Sequence, residues 1–283
     1  MVFIRRVPFE AALLYLPFSF YFYTFNLLEY MRLENSFIVA PGVGEKTETK
    51  LWQNNITHWD EIEDSSTVTS GKKDKITSFL EKARKNLEVE NTAFFKNKLP
   101  KNSYWRMYEN FRENVCFFDI ETTGLDQRKN KVTTVSIYRN GESKTFVRGQ
   151  DLTAERLQDE FFKSSMIVSF NGKRFDQPFL EHNFDLNIES PHIDLMYPCR
   201  KLGYSGGLKK IEKELEIERD LEEDTDGKDA IRLWKKYEKK GDQDALEKLV
   251  RYNQYDTENL QRLLNIVHEK LDRRHFRKHI PSE

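Results

Sequence analysis

The chain has 283 residues, of which 38% are hydrophobic and 33% charged, so it can bury a sizeable core beneath a heavily charged surface. Its 46 basic and 47 acidic side chains nearly cancel, which excludes overall positive charge as the means of attracting a polyanion. Cys116 and Cys199 are far apart and form no CxxC pattern, which argues against a disulfide framework or a structural zinc site and favours a reducing, cytoplasmic location.

Residues 1–30 form a hydrophobic N-terminal extension whose composition differs from that of the rest of the chain. Residues 11–28 carry no charge and are numerous enough to span a membrane. However, Arg5 and Arg6 would hold the N-terminus inside and place everything that follows outside the cell. Two interpretations stay open: the extension is a genuine anchor or hydrophobic arm, or the native start is Met31 and the extension is an artefact of the reading frame. We expect membrane association only in the first case.

Residues 31–112 predict a small helical module. The sequence APGVGEKTETKLW, beginning at Ala40, resembles the hairpin and second helix of a helix-hairpin-helix element. In such an element Gly42 and Gly44 would let backbone N–H groups approach a phosphate, and Lys46 would add positive charge. The preceding SFIVA reads as extended, so the first helix of the element is not evident. The alternative is a glycine turn that only packs the module.

From residue 113 the pattern alternates between strands and helices. A strand is predicted at residues 114–120, and the dipeptide Asn140-Gly141 joins two further strands as a hairpin. The short apolar runs MIVSF and HIDLM predict two more strands, separated by helices. This alternation predicts the α/β class, with a mixed sheet that carries helices on its faces.

These patterns divide the chain into four parts. They are the extension at residues 1–30, the helical module at 31–112, an α/β domain at 113–275 and a tail at 276–283. Within the module, residues 65–75 are small and polar and predict a linker or loop.

The sequence VCFFDIETTGL, beginning at Val115, is an apolar strand that ends in two carboxylates. Asp119 and Glu121 are two residues apart, so both point to the same face of the strand. Two like charges at this spacing are costly unless they are neutralised, and hard cations such as Mg²⁺ prefer carboxylate oxygens. Alone, the pair is more typical of a solvated strand end. A third acid, Asp176, follows another apolar strand in VSFNGKRFDQPFL, although such an acid also suits a helix cap.

The sequence RYNQYDTENL lies in a predicted helix and supplies a fourth acid. Tyr252 and Asp256 are four residues apart, so they share one face of that helix and can converge on one point. The alternative is a core aromatic next to an exposed charge. Tyr255 lies on a different face and is expected to be a packing residue.

The segments FDIETTGL, NGKRFD and YNQYD, in this order, resemble the three exonuclease motifs of the DEDD superfamily on a ribonuclease-H-like fold. The Y-x-x-x-D spacing resembles the tyrosine branch, since position 251 is Arg rather than the His of the other branch. Over residues 114–265 the chain is also similar to the YprB-type ribonuclease-H-like family, through GGLKKIEKELEIER and the helix that contains the third motif. The resemblance implies a mixed five-stranded sheet flanked by helices. It also implies a metal-dependent 3′–5′ exonuclease that acts in DNA repair or nucleic-acid processing.

The resemblance assigns a role to each motif residue. Two divalent cations, Mg²⁺ or Mn²⁺, would clamp the scissile phosphate. Asp119 would bridge both cations, Glu121 and Asp256 would complete the site for the first, and Asp176 would hold the second through water. The main role of Tyr252 would be to orient the attacking water by hydrogen bonding. Helping to deprotonate that water would require the metals to tune the phenol, whose unperturbed pKa is near ~10.

A nucleic acid with a 3′ end is the expected partner. Lys173 and Arg174 lie inside the second motif and are expected to contact the phosphate backbone, together with Gly42, Gly44 and Lys46. The competing hypothesis is a non-catalytic nucleic-acid-binding module on the same fold, which loss of a motif acid would have favoured. No motif distinguishes DNA from RNA or single strands from duplexes, and none identifies a protein partner such as a helicase.

Overall fold

The computed structural model describes residues 30–218 and 227–280. The predictions for the hydrophobic extension therefore lie outside the described residues, apart from Tyr30. Within this described part of the chain, no helix is both long and apolar enough to cross a membrane.

A five-stranded mixed sheet forms the centre of the α/β part. Its strands are β1 Val115–Thr122, β2 Val132–Arg139, β3 Glu142–Val147, β4 Met166–Ser169 and β5 His192–Asp194. Their order across the sheet is β3-β2-β1-β4-β5. The first three strands are antiparallel, whereas β4 and β5 run parallel to β1. The predicted mixed sheet is thereby confirmed.

Ten α-helices accompany the sheet in the described residues. They are α1 Glu45–Gln53, α2 Ser70–Glu88, α3 Thr92–Lys96, α4 Tyr108–Phe111, α5 Ala154–Phe162, α6 Asp176–Phe184, α7 Met196–Leu202, α8 Leu208–Glu214, α9 Gly227–Lys240 and α10 Gln243–His275. Short 3₁₀ turns connect several of them, most of these in residues 33–114.

Local sequence signals account for several of these elements. Asn140 and Gly141 both have positive φ, 53° and 82°, which is the conformation that a two-residue hairpin of this type requires. The side chain of Thr153 caps α5 by accepting a hydrogen bond from the backbone N–H of Arg156. Pro178 lies in the first turn of α6, where the N–H that proline lacks has no helical partner.

Two local predictions in the helical module are wrong. The segment SFIVA is not extended, because residues Phe37–Val39 form a 3₁₀ turn and are buried. Residues 65–75 are not all loop, because α2 begins at Ser70. In the predicted tail, Phe276 is buried and meets the ring of Trp52 at a centroid distance of 5.3 Å, so the end of α10 packs on the module.

The two faces of the sheet are buried against different helices. On one face Cys116, Phe118 and Ile120 of β1 join a core with buried side chains of α5 and α6. On the other face Val115 and Phe117 join the leucines of α10 and the apolar side chains of residues 31–111 in one continuous core. Because side chains alternate along a strand, Asp119 and Glu121 point to this second face, the one that α10 covers.

Candidate active site

The end of β1 places two carboxylates under α10. Asp119 and Glu121 lie on the α10 face, both partly exposed, and the pairing of β1 with β2 shifts register between Glu121 and Thr122. Such a bulge bends a strand locally and often re-aims a side chain next to a functional site. The prediction that both acids lie on one face is confirmed, although they lie within the strand, which extends two residues beyond its predicted end.

The long helix α10 brings a third carboxylate to the same point. Asp256 projects toward β1, and oxygen atoms of Asp119, Glu121 and Asp256 all lie within 4.8 Å of one another. Asp256 lies 137 positions after Asp119 in the sequence, so only the packing of α10 across the sheet brings the three acids together. This cluster is the central feature of the site.

Burial and mutual repulsion act on these acids in the same direction. Burial raises the pKa of Asp119 well above its ordinary range, and the charges of Asp176, Asp256 and Glu121 raise it further. The pKa of Glu121 is raised in the same way by burial and then by Asp256 and Asp176. Three close carboxylate groups, one buried and two partly exposed, lower their electrostatic energy by binding a cation, so the donor set fits a hard divalent metal ion.

Asp176 lies next to the cluster but not within it. Asp176 follows the end of β4 in the chain. One of its carboxylate oxygens accepts a hydrogen bond from the backbone N–H of Ile120 in β1 at 3.2 Å. The residue is almost fully buried, and its burial raises its pKa to about 7. Asp176 is the first residue of α6 rather than its N-cap, which is Phe175, and its carboxylate also accepts a hydrogen bond from its own backbone N–H.

The turn before Asp176 depends on a glycine. A Cβ at Gly172 would lie 2.2 Å from Oγ of Ser169 and 3.2 Å from a carboxylate oxygen of Asp176. Ser169 cannot move aside easily, since its hydroxyl is buried and bonded to Nε2 of His192 at 2.7 Å. The motif therefore needs glycine at this position for close approach rather than for an unusual φ.

Asp194 organises the same turn from β5. Its carboxylate accepts hydrogen bonds from the backbone N–H groups of Asn171 at 2.7 Å and of Lys173 and Met196 at 3.2 Å. Asp194 therefore serves as a hydrogen-bonding residue of the turn. Lys173 is half-buried beside it, and Arg174 is exposed.

Tyr252 lies one helical turn before Asp256 and is buried against the acids. Burial raises its pKa, and so do the charges of Asp256, Glu121 and Asp119 and a side-chain hydrogen bond with Asp256. The phenol therefore stays protonated at neutral pH and donates a hydrogen bond to the carboxylate of Asp256. Tyr255 is not a core residue, because its hydroxyl accepts from the guanidinium of Arg251 on the surface.

Sequence reasoning missed Asn253, which holds Asp119 in place. Its side-chain amide donates to a carboxylate oxygen of Asp119 at 2.7 Å, and its amide oxygen accepts from the hydroxyl of Thr134 at 2.9 Å. Thr134 is the residue of β2 that lies opposite Glu121. Asn253 is fully buried, so this bridge fixes the carboxylate in a single orientation. Its position next to Tyr252 in the third motif was the only available signal.

Replacing Asn253 with alanine is expected to weaken Mn²⁺ binding by about 10- to 100-fold, the usual effect of losing a residue that orients a metal ligand. It also leaves the hydroxyl of Thr134 without its buried partner, at a cost of about 1–3 kcal/mol in unfolding free energy. Calorimetric titration with Mn²⁺ and chemical denaturation measure the two effects. A variant that is less stable but binds Mn²⁺ normally would show that the amide is structural only.

Lys209 was also missed. Its ammonium lies 5.2 Å from the ring centroid of Tyr252, and its charge opposes the rise in the pKa of Glu121. The residue belongs to α8, just after the glycines at 206 and 207. A positive charge therefore faces the acids from a helix on which no site residue was predicted.

Gly42, Gly44 and Lys46 lie apart from the acids, at the start of α1. Gly42 has a φ of 75°, and Gly44 is the residue immediately before α1. Both glycines line a cavity of about 270 Å³ together with Lys98 and Pro100, whereas Lys46 is exposed beside it. The residues predicted to contact phosphate therefore lie in two separate places. Lys173 and Arg174 are next to the acids, whereas the two glycines and Lys46 are at the start of α1.

Comparison with known proteins gives one family match. The model of RNase_H_2, described as belonging to the RNase_H superfamily, matches residues 116–268. No curated protein matches the chain. Among solved structures, Brucella melitensis NrnC with bound Mg²⁺ is 20% identical in sequence. The match covers 60% of this chain and 80% of the NrnC chain, with a TM-score of 0.44. The family B DNA polymerase of the hyperthermophilic archaeon Pyrobaculum calidifontis is 16% identical. That match covers 54% of this chain and 24% of the polymerase, with a TM-score of 0.43.

Proposed function

The chain belongs to the RNase_H_2 family of the RNase H superfamily, and from this premise we propose that it is a metal-dependent 3′–5′ exonuclease. It would hydrolyse phosphodiester bonds from the 3′ end of a nucleic acid in the cytoplasm, in DNA repair or nucleic-acid processing. Within the superfamily we place it in the tyrosine branch of the DEDD exonucleases and in the YprB-type family, on the three motifs around Asp119, Asp176 and Asp256.

The single observation that carries this proposal is the cluster of Asp119, Glu121 and Asp256, whose carboxylate oxygens lie within 4.8 Å of one another. Asp176 adds a fourth acid, held against the backbone of β1. Divalent cations bound there would stabilise charge on the phosphate and lower the pKa of a water molecule, and we propose two of them, Mg²⁺ or Mn²⁺.

The protein's own residues would then position the reacting groups. Asn253 holds the carboxylate of Asp119 in one orientation, so that the carboxylate is preorganised before substrate binds. The protonated hydroxyl of Tyr252 would orient the attacking water, because its raised pKa makes it a poor base. Lys173 and Arg174 would contact phosphates of the strand next to the acids, and Gly42, Gly44 and Lys46 would contact phosphates farther along it.

Replacing Tyr252 with phenylalanine is expected to lower kcat by about tenfold, the equivalent of one hydrogen bond that forms to the attacking water. Because the phenol is not the base, the pH dependence of kcat should keep its shape. Initial rates between pH 6 and pH 9 measure both. Loss of an alkaline or acidic limb in the variant would instead identify the phenol as a proton carrier.

The proposal is tested by digestion of matched DNA and RNA strands labelled at either end, with Mg²⁺ or Mn²⁺. A 3′-labelled strand should release labelled mononucleotide at the outset, while a 5′-labelled strand should shorten progressively. A circular single strand should resist digestion. Cleavage of the circle would identify an endonuclease, and binding without hydrolysis would favour the non-catalytic alternative.

A further inference from the structure

A second cavity, of about 220 Å³, lies where residues 101–105 meet the end of β5. None of the catalytic roles described above uses it. Its walls combine aromatic, proline and basic side chains with two residues of β5. The lining includes the side chains of Lys101, Tyr104, Lys173, Ile193 and Tyr197.

The cavity lies on the same face of the sheet as the acids and, like them, near the carboxyl ends of the parallel strands. Phe117, Val168 and Ile193 are in register across β1, β4 and β5 and belong to the same core, so they share one face. Asp119 follows Phe117 by two residues, and Ile193 lines the cavity. The strands β1 and β5 are separated only by β4, so Ile193 and Asp119 are two strand spacings apart across the sheet and two residues apart along it, a distance of about 12 Å.

The charge of the cavity suits an anion. Lys173 is half-buried, and its pKa is lowered by burial and by the charges of Lys101 and Lys96, while Asp194 opposes this change. Asp194 accepts three backbone hydrogen bonds and is therefore committed to the turn. The lining therefore carries two lysines, Lys101 and Lys173, against the one carboxylate of Asp194, and a phosphate group would balance the remaining positive charge.

The walls of the cavity suit a flat ring. The ammonium of Lys173 lies 5.5 Å from the ring centroid of Tyr104. Tyr197 is 39% exposed, which is unusual for a large side chain of this protein, and it belongs to α7 directly after β5. Aromatic side chains beside basic ones are the combination by which proteins hold single-stranded nucleic acids without reading their sequence.

We propose that this cavity binds one nucleotide of the substrate strand, next to the nucleotide held at the acids, with its base on Tyr197 and its phosphate between Lys101 and Lys173. This inference rests on the proposed function and names the substrate it favours: a single strand of more than one nucleotide. Residues 101–105 would thereby supply one wall of the substrate-binding surface, and the α/β part would supply the other through Lys173, Ile193 and Tyr197. Pro100, which directly precedes Lys101, lines the cavity of Gly42 and Gly44, so the two cavities have linings that are adjacent in the chain.

The test compares a strand with a substrate too short to reach the cavity. Full-length protein, Tyr197→Ala and Lys101→Ala are measured for binding of a fluorescein-labelled single strand with Ca²⁺ in place of Mg²⁺. The same proteins are measured for hydrolysis of that strand and of the p-nitrophenyl ester of thymidine monophosphate with Mn²⁺. Phe162→Ala and Lys85→Ala, two exposed positions away from the cavity, are the matched controls.

Each cavity variant is expected to weaken strand binding by about tenfold, in line with the loss of one stacked base or one phosphate contact. The ratio of kcat/KM for the strand to that for the ester should fall by the same factor. Lys101→Ala should also reduce the dependence of binding on salt concentration by about one ion, whereas Tyr197→Ala should not.

Strand binding within twofold of the parent in both variants would overturn the proposal, as would an equal loss on the strand and the ester. If the parent fails to hydrolyse the ester and the strand, the proposed function fails by itself, and the binding measurements still decide whether the cavity holds a nucleotide.

Discussion

Replacing Asp119 with asparagine should lower kcat by about 10³-fold or more while the protein remains folded. The side chain keeps its size and its contact with Asn253, but the cluster loses one of its three carboxylate charges. Metal ions contribute several kcal/mol to such reactions, and each 1.36 kcal/mol corresponds to about tenfold in rate. The measurement is the initial rate on a 3′-labelled strand at saturating Mn²⁺.

The matched control for this prediction is Asp159→Asn, an exposed aspartate of α5 on the opposite side of the sheet. It should retain the activity of the parent. Full activity of Asp119→Asn, or activity of the parent that persists in excess EDTA, would contradict a role for the cluster in holding a cation.

Without metal, the carboxylate cluster should make the protein less stable as the pH rises from about 4 to about 7, whereas His192 and His268, whose pKa values are lowered by burial, act in the opposite direction. The pKa of Asp176 is raised to about 7 by burial, and burial and neighbouring acids raise those of Asp119 and Glu121. In the unfolded chain these carboxyl groups titrate near ~4. Between the two values the folded state binds more protons than the unfolded state, so stability falls as pH rises through this window. We expect the change in melting temperature in EDTA across this window to be less favourable in the parent than in Asp119→Asn by about 5 °C or more.

Divalent cations should reverse this loss. Mn²⁺ competes with protons for the carboxylates, so it should raise the melting temperature more at pH 8 than at pH 5.5. Scanning calorimetry across this range, with and without Mn²⁺, measures both effects. In Asp119→Asn the pH slope and the Mn²⁺ response should both be smaller than in Asp159→Asn. A melting temperature in EDTA that depends on pH equally in the two variants would rule out the cluster as the cause.

Alternation and helical spacing made much of the site predictable. The two-residue spacing of Asp119 and Glu121 and the four-residue spacing of Tyr252 and Asp256 each define a face from local geometry alone. The sequence also located the hairpin at Asn140, because only a few dipeptides tolerate the backbone that it needs. Each of these inferences depends on residues close together in the chain.

The unpredicted parts all depend on contacts between distant segments. Asn253 is important because the hydroxyl of Thr134, 119 positions earlier, meets it across the sheet. The position of Asp176 is set by a backbone N–H of β1, and Lys209 reaches the acids from a helix that no motif marks. The 3₁₀ turn at Phe37 differs from the extended prediction because the buried carboxylate of Glu48 accepts its backbone N–H, a tertiary contact that local propensity does not encode.

The helix α10 has a consequence for which changes the chain can accept. Its first half carries Tyr252 and Asp256, and its second half buries leucines against residues 31–111, within one uninterrupted helix of 33 residues. A helix turns by about 100° per residue, so one inserted or deleted residue between Asp256 and Leu271 would rotate its two ends relative to each other by that angle. Either the acid would leave the cluster or the leucines would leave the core. The number of residues in this span is therefore fixed by the site at one end and by the core at the other.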